Sequence, residues 1–113
     1  MRALVADRLS SESNRPDLAS VISRLKTCEE SLRSRGVTAL WIFGSVARGD
    51  ANGASDVDLI VEIADGVPLS LTGFARLKQE LSEMLGRAVD LAEWRTLEPR
   101  LHKVASAEAV RVF

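Results

Sequence analysis

"IFGSVARGDANGASDVDLIVEI", Ile42 to Ile63, decides how this chain folds. An apolar run stops at Gly44 and Ser45. Ten residues separate Ser45 from Asp56, Asp58 follows two positions on, and the chain then turns apolar again. Val57, Leu59, Val61 and Ile63 alternate with Asp56, Asp58, Ile60 and Glu62. A period of two predicts a strand with one apolar face and one face that opens on carboxylates. Just upstream, "VTALWIF" (Val37 to Phe43) is β-branched and aromatic and reads as the preceding strand.

Helical signals flank these strands. Leu18, Val21, Ile22, Leu25, Cys28 and Leu32 recur at three- and four-residue steps, which predicts one helix from Asp17 to a stop at Gly36. "ADGVP" (Ala64 to Pro68) reads as a turn. Phe74, Leu77, Leu81, Met84 and Leu85 share a face of a second long helix that Gly86 ends. "AVDLAEW" (Ala88 to Trp94) reads as a short third strand carrying Asp90. Thr96 is placed as the cap of a last short helix with Pro99 in its first turn, and the closing "VRVF" as an edge strand. Residues 1–16 show no clear period and end at Pro16, so they read as an arm ahead of a domain over 17–113. The fold class expected is α+β (α/β), a small mixed sheet of three to four strands covered by helices on one side.

The bulk composition narrows the class. A chain of 113 residues, 46% apolar, fits one domain with a real core. Its net charge of −1 offers no basic footprint for nucleic acid. A single cysteine, Cys28, forbids an internal disulfide and suits a reducing cytoplasm. The first residues lack a signal-peptide core, and no apolar run approaches the roughly 20 residues of a membrane helix.

The chemistry sits around the opening stretch. Asp56 and Asp58 project from one strand face, and two anions that close resist joint ionisation. A divalent cation removes that conflict, and magnesium prefers hard oxygen ligands together with substrate phosphates. Asp90 is the candidate third carboxylate, on a neighbouring strand. Glu93, its rival, has the opposite strand parity. In a two-metal site of this kind one ion activates the attacking oxygen and the other stabilises the leaving group. Gly44 allows a tight strand exit, Ser45 offers a hydroxyl, and "SVAR" can begin a short helix whose N–H groups meet phosphate. Arg48 can pair with phosphate oxygens, or with Asp50 on the surface. Alone, a Gly-Ser pair is most often a plain turn, and an Asp-x-Asp can be a solvated strand edge. In this order the residues describe a site for a magnesium–nucleoside triphosphate.

Gly44-Ser45, ten residues, then Asp56-x-Asp58 resembles the signature of the DNA polymerase β-like nucleotidyltransferase superfamily. The string "GSVARGDANGASDVDL" resembles its minimal nucleotidyltransferases, and "RAVDLAEW" their third-aspartate strand. "LHKVASAEAVRVF" is similar to the tail of the small stand-alone members, typically antitoxin partners of HEPN ribonuclease toxins. The resemblance covers roughly residues 37–113 and implies a nucleotidyltransferase fold. It implies that Gly44 and Ser45 hold the triphosphate, that Arg48 steadies phosphate, and that Asp56 and Asp58 bind the metals. Asp90 would complete the metal site and help activate the acceptor hydroxyl. The activity implied is transfer of AMP from Mg-ATP to a tyrosine or serine hydroxyl of a cognate HEPN-type toxin, in an oligomer or hetero-complex. The chain contains no tyrosine, so it cannot modify itself on one. The rival readings are an antitoxin that acts by contact alone, or a small-molecule nucleotidyltransferase. The latter would lack the large helical domain of the antibiotic adenylyltransferases.

Three further residues are weighed against this. Arg95 and His102, with six residues between them, fit the spacing of a HEPN ribonuclease motif. That catalysis belongs to an all-helical domain, so His102 reads as a solvated helix position. Trp41 is expected in the core, and Trp94 in the core or at a partner surface.

Overall fold

The structure, a computed structural model, describes residues 17–113. The arm expected at 1–16 lies outside the described residues. Ten elements follow in order: α1 (Leu18–Lys26), α2 (Glu29–Ser34), β1 (Val37–Phe43), α3 (Gly44–Arg48), β2 (Val57–Ile63), α4 (Leu71–Leu85), β3 (Val89–Glu93), a 3-10 turn (Trp94–Thr96), α5 (Pro99–Glu108) and β4 (Val110–Arg111). The strands form one four-stranded sheet in the order β3-β2-β1-β4. β1 runs antiparallel to β2 and to β4, while β2 and β3 are parallel because α4 carries the chain back between them. This is the mixed α/β sheet expected, with four strands.

Strand alternation sorts the side chains. Leu40 and Ile42 of β1, Val57, Leu59, Val61 and Ile63 of β2, and Val89 and Leu91 of β3 are all buried in one core. Val21, Leu25 and Leu32 from α1 and α2, and Leu77, Leu81 and Leu85 from α4, close that core from above. Each fully buried aliphatic side chain stabilises the fold by about 1.5–3 kcal/mol relative to exposure. Asp17 and Ser70 start α1 and α4, accepting hydrogen bonds from the backbone N–H groups of Ser20 and Gly73.

The single helix expected from Asp17 to Gly36 is two helices. The Thr27 hydroxyl donates to the Arg24 carbonyl at 2.6 Å and the Cys28 thiol to the Leu25 carbonyl at 3.1 Å. Such side-chain bonds to the preceding turn compete with helix continuation. Periodicity survives the break, so the apolar face stayed legible while the interruption did not. Burial pushes the Cys28 thiol up in pKa.

Thr96 does not cap the last helix. Glu98 holds that position and Pro99 opens α5. Thr96 closes the 3-10 turn, whose Arg95 and Thr96 N–H groups the Glu93 carboxylate accepts.

Helices are not confined to one side of the sheet either. The side chains of Phe43, Ile60 and Ala92 point away from the main core and meet Leu97, Leu101 and Ala105 around one cavity. Ala105 of α5 is buried there. Trp41, on the same sheet face, stacks on Trp94 at 4.9 Å, and His102 of α5 meets Trp94 edge-on at 4.7 Å. His102 is therefore half-buried against an indole rather than solvated. Both tryptophans are half-buried. Among the described residues, no helix is long and apolar enough to cross a membrane.

Candidate active site

The exit of β1 builds one wall. Gly44 follows Phe43 directly and takes a φ of +73°, a region that side chains disfavour. A Cβ added there would stand 2.2 Å from Oδ2 of Asp58. The positive φ favours glycine for the turn, and the missing Cβ leaves the space that the Asp58 carboxylate occupies. α3 starts without a side-chain cap, since Phe43 has no acceptor to offer. Asp50 N–H donates to the Ser45 carbonyl at 3.0 Å and closes this short helix.

Strand register brings the carboxylates together. Asp58 pairs across β1 with Phe43, and across the parallel ladder with Asp90. Directly paired residues of a parallel ladder share a face about 4.8 Å apart, so Asp58 and Asp90 stand side by side. Asp56 precedes β2 by one residue and is exposed, Asp58 is half-buried, and Asp90 is exposed. The Asp58 carboxyl is held above the usual carboxylate range, first by burial, then by the charges of Asp90 and Asp56. The Arg48 guanidinium opposes them. All three aspartates named from the sequence therefore act on one point.

The approach to Asp56 is fixed by the loop before it. Asn52 Oδ1 accepts from Ala54 N–H at 2.8 Å, and Ser55 Oγ accepts from Asn52 N–H at 3.0 Å. Arg87 reaches across from the end of α4 to the carbonyls of Gly53, at 3.3 Å, and Ser55, at 3.4 Å.

Arg48 ends α3 and is held by acids. Its Nε lies 3.2 Å from Asp50 Oδ2, the surface pairing weighed from the sequence, and its Nη1 lies 3.7 Å from Glu108 Oε2. Glu93, the rival third carboxylate, pairs with Val61 three positions along the ladder from Asp58, and its carboxylate accepts from the N–H groups of the 3-10 turn. A cavity of about 180 Å³ opens beside Asp58 and Asp90, floored by Phe43, Ile60 and Ala92 and walled by Leu97, Leu101 and Ala105. A larger hollow of about 460 Å³ lies past the far end of β2, away from the carboxylates.

No motif in the sequence marks Glu108, Leu97 or Leu101. The one available signal was Glu108 itself, an acid in the last turn of a helix, where the helix dipole disfavours it.

A divalent cation suits this donor set. The acids supply hard oxygens, and burial followed by their mutual repulsion already raises the proton affinity of Asp58. Among the described residues no three Asp, Glu, His or Cys side chains form a ready cage. Magnesium does not require one, since it binds through one or two carboxylates together with substrate phosphates.

A mixed sheet that sets a glycine-tight turn and paired carboxylates at one end of its adjacent strands is the frame of a nucleotidyl-transfer site. The chain belongs to the nucleotidyltransferase domain family, which it matches over residues 25–112, and it is a nucleotidyltransferase. Protein adenylyltransferase MntA of Thermococcus cleftensis is 36% identical over 96 residues, covering 84% of this chain and 95% of that one. The solved structure of a chain assigned as a minimal nucleotidyltransferase superposes with a TM-score of 0.71 at 37% identity, covering 83% of this chain and 94% of that one. The same fold recurs, at 19% identity and a TM-score of 0.64, in a complex of tri-AMPylated Shewanella oneidensis HEPN toxin with MNT antitoxin. That match covers 85% of this chain and 71% of the solved one.

Proposed function

We propose that this enzyme transfers AMP from magnesium-ATP to a side-chain hydroxyl of a partner protein, a HEPN-type ribonuclease toxin, and thereby neutralises it in the cytoplasm. The observation that carries the reading is the Asp58–Asp90 register with Gly44 packed against the Asp58 carboxylate. The kinship with a protein adenylyltransferase supports AMP as the group moved. The fold shared with an antitoxin bound to an AMPylated HEPN toxin supports the partner.

Gly44 and Ser45 hold the triphosphate at the strand exit, and Arg48 pairs with its oxygens. Asp56, Asp58 and Asp90 hold the magnesium ions. Bound magnesium supplies charge neutralisation for the attacking and leaving oxygens. Asp90 is the more exposed of the paired carboxylates and takes the proton of the acceptor hydroxyl. The hydroxyl oxygen bonds to the α-phosphorus, the bond from that phosphorus to the β-phosphate bridging oxygen breaks, and pyrophosphate leaves. An AMP group adds bulk and negative charge to the toxin surface, which disfavours RNA there.

The test is direct. The protein is incubated with the toxin candidate encoded beside it, ATP and magnesium, and the partner is weighed intact. Additions in steps of about 329 Da, one AMP each, are expected from the transfer chemistry. Asp90→Asn slows the addition by roughly a hundredfold or more, the scale of general-base contributions. A partner that gains no mass with any of the common nucleoside triphosphates, yet is still neutralised, replaces this reading with inhibition by contact.

A further inference from the structure

Arg48 faces two ways. Its charge reaches inward to Asp58, yet its guanidinium is engaged outward by Asp50 and Glu108. Asp50 is a near neighbour in the chain. Glu108 comes from the far end of the sequence, and three features fix it over α3.

Ala105, one turn back on α5, is buried in the sheet face. The Ala109 N–H closes the helix end on the Ala105 carbonyl at 2.7 Å. Val110, two residues on, pairs with Ile42 in β1, itself two residues ahead of Gly44. The end of α5 and the start of the phosphate turn are therefore tied to the same stretch of β1.

Glu108 is also out of place by local rules. An acid in the last turn of a helix is disfavoured by the dipole, typically by about 0.3–1 kcal/mol. Pairing with Arg48 offsets that cost. The side chains are 48% and 41% exposed, so the pair is solvated and weak. A triphosphate, with several charged oxygens and bidentate geometry to offer, competes well for the same guanidinium.

We infer that Glu108 is a latch on Arg48: it holds the guanidinium at the end of α3 and exchanges it for the triphosphate when nucleotide enters. This rests on the reading of Arg48 as a phosphate ligand. Glu108 touches no substrate and acts through Arg48, as a positioning residue. Its effect is on affinity, because the pair must open before the phosphate contact forms.

Calorimetric affinities for magnesium-ATP and for inorganic tripolyphosphate test this in four proteins: the parent, Glu108→Gln, Arg48→Gln and the double variant. Glu108→Gln should bind both ligands roughly two- to fivefold tighter, the scale of an exposed pair. In the Arg48→Gln background the same change should do nothing, since no guanidinium remains to be released. Matching thermal midpoints for the parent and Glu108→Gln show that the fold is unaltered. An equal gain in both backgrounds means a general loss of negative charge near the site and overturns the latch. So does unchanged or weaker binding by Glu108→Gln while Arg48→Gln loses affinity. If Arg48→Gln itself binds as the parent does, the phosphate role of Arg48 fails and the latch fails with it, while the assignments of Gly44 and the aspartates stand.

Discussion

Asp58 is a carboxylate the fold places under stress. It is half-buried, lies against the bare face of Gly44 and shares its strand register with Asp90. Its proton affinity is raised by burial first and by two neighbouring charges next. A carboxyl with a raised folded pKa holds its proton more tightly folded than unfolded. Stability therefore falls as pH climbs from the ordinary carboxylate value, about 3.9, through the raised one. At neutral pH the full cost is present. Asp58→Asn removes the charge, keeps the shape, and is expected to raise the thermal midpoint at pH 7 while abolishing transfer. The gain should shrink as the buffer is taken down through the raised pKa, as the parent carboxyl takes up its own proton. A variant that melts below the parent at pH 7 would contradict the stressed-carboxylate account. Part of this was legible beforehand. Strand parity puts Asp56 and Asp58 on one face, and it separates Asp90 from Glu93. What parity cannot give is register, and register is what sets Asp90 beside Asp58 and the Asp58 oxygen against Gly44.

Elements were legible where their ends are written in glycine or in a change of period. β1 starts after Gly36 and stops at Gly44, and α4 stops at Gly86, as the sequence implies. The break at Thr27 and Cys28 was not legible, because the apolar spacing runs straight through it. The side of the sheet that α5 covers was not legible either, since a helical period marks a face but not the surface it meets. Two glycines separate local from tertiary causes. Gly86 has a φ of +69° and open space around its missing Cβ, whereas Gly44 has a similar φ and the Asp58 carboxylate in that space. Gly86→Ala should cost about 1 kcal/mol of folding free energy in urea titration, from backbone strain alone. Gly44→Ala should cost more, and should also weaken magnesium-ATP binding by displacing the Asp58 side chain. Equal costs with unchanged binding would show that the carboxylate moves aside freely and plays no part in requiring glycine.

The whole molecule is closed by its last residues. "VRVF" predicts an edge strand, and β4 is one, though only Val110 and Arg111 form it. The chain then continues alongside β1, with Val112 N–H donating to the Leu40 carbonyl at 2.8 Å and Leu40 N–H to the Phe113 carbonyl at 3.0 Å. Val112 and Phe113 are buried in the main core, and the Arg33 guanidinium of α2 sits 4.8 Å above the Phe113 ring. The same segment tethers α5, which lies on the other face and carries Glu108 to Arg48. The tail thus couples the core that stabilises the fold to the helix that borders the site. Phe113→Ala should cost about 3 kcal/mol, the low end for a buried aromatic because the ring lies at a sheet edge. That is a large share of the roughly 5–15 kcal/mol that holds a domain of this size folded. Urea titration measures the loss, and hydrogen exchange locates it. If the tail is the tether, protection should fall along α5 as well as in β4, and magnesium-ATP affinity should change with it. Loss confined to β4, with α5 protected as before, would mean that Ala105 and the Trp94–His102 contact hold the helix without help from the tail.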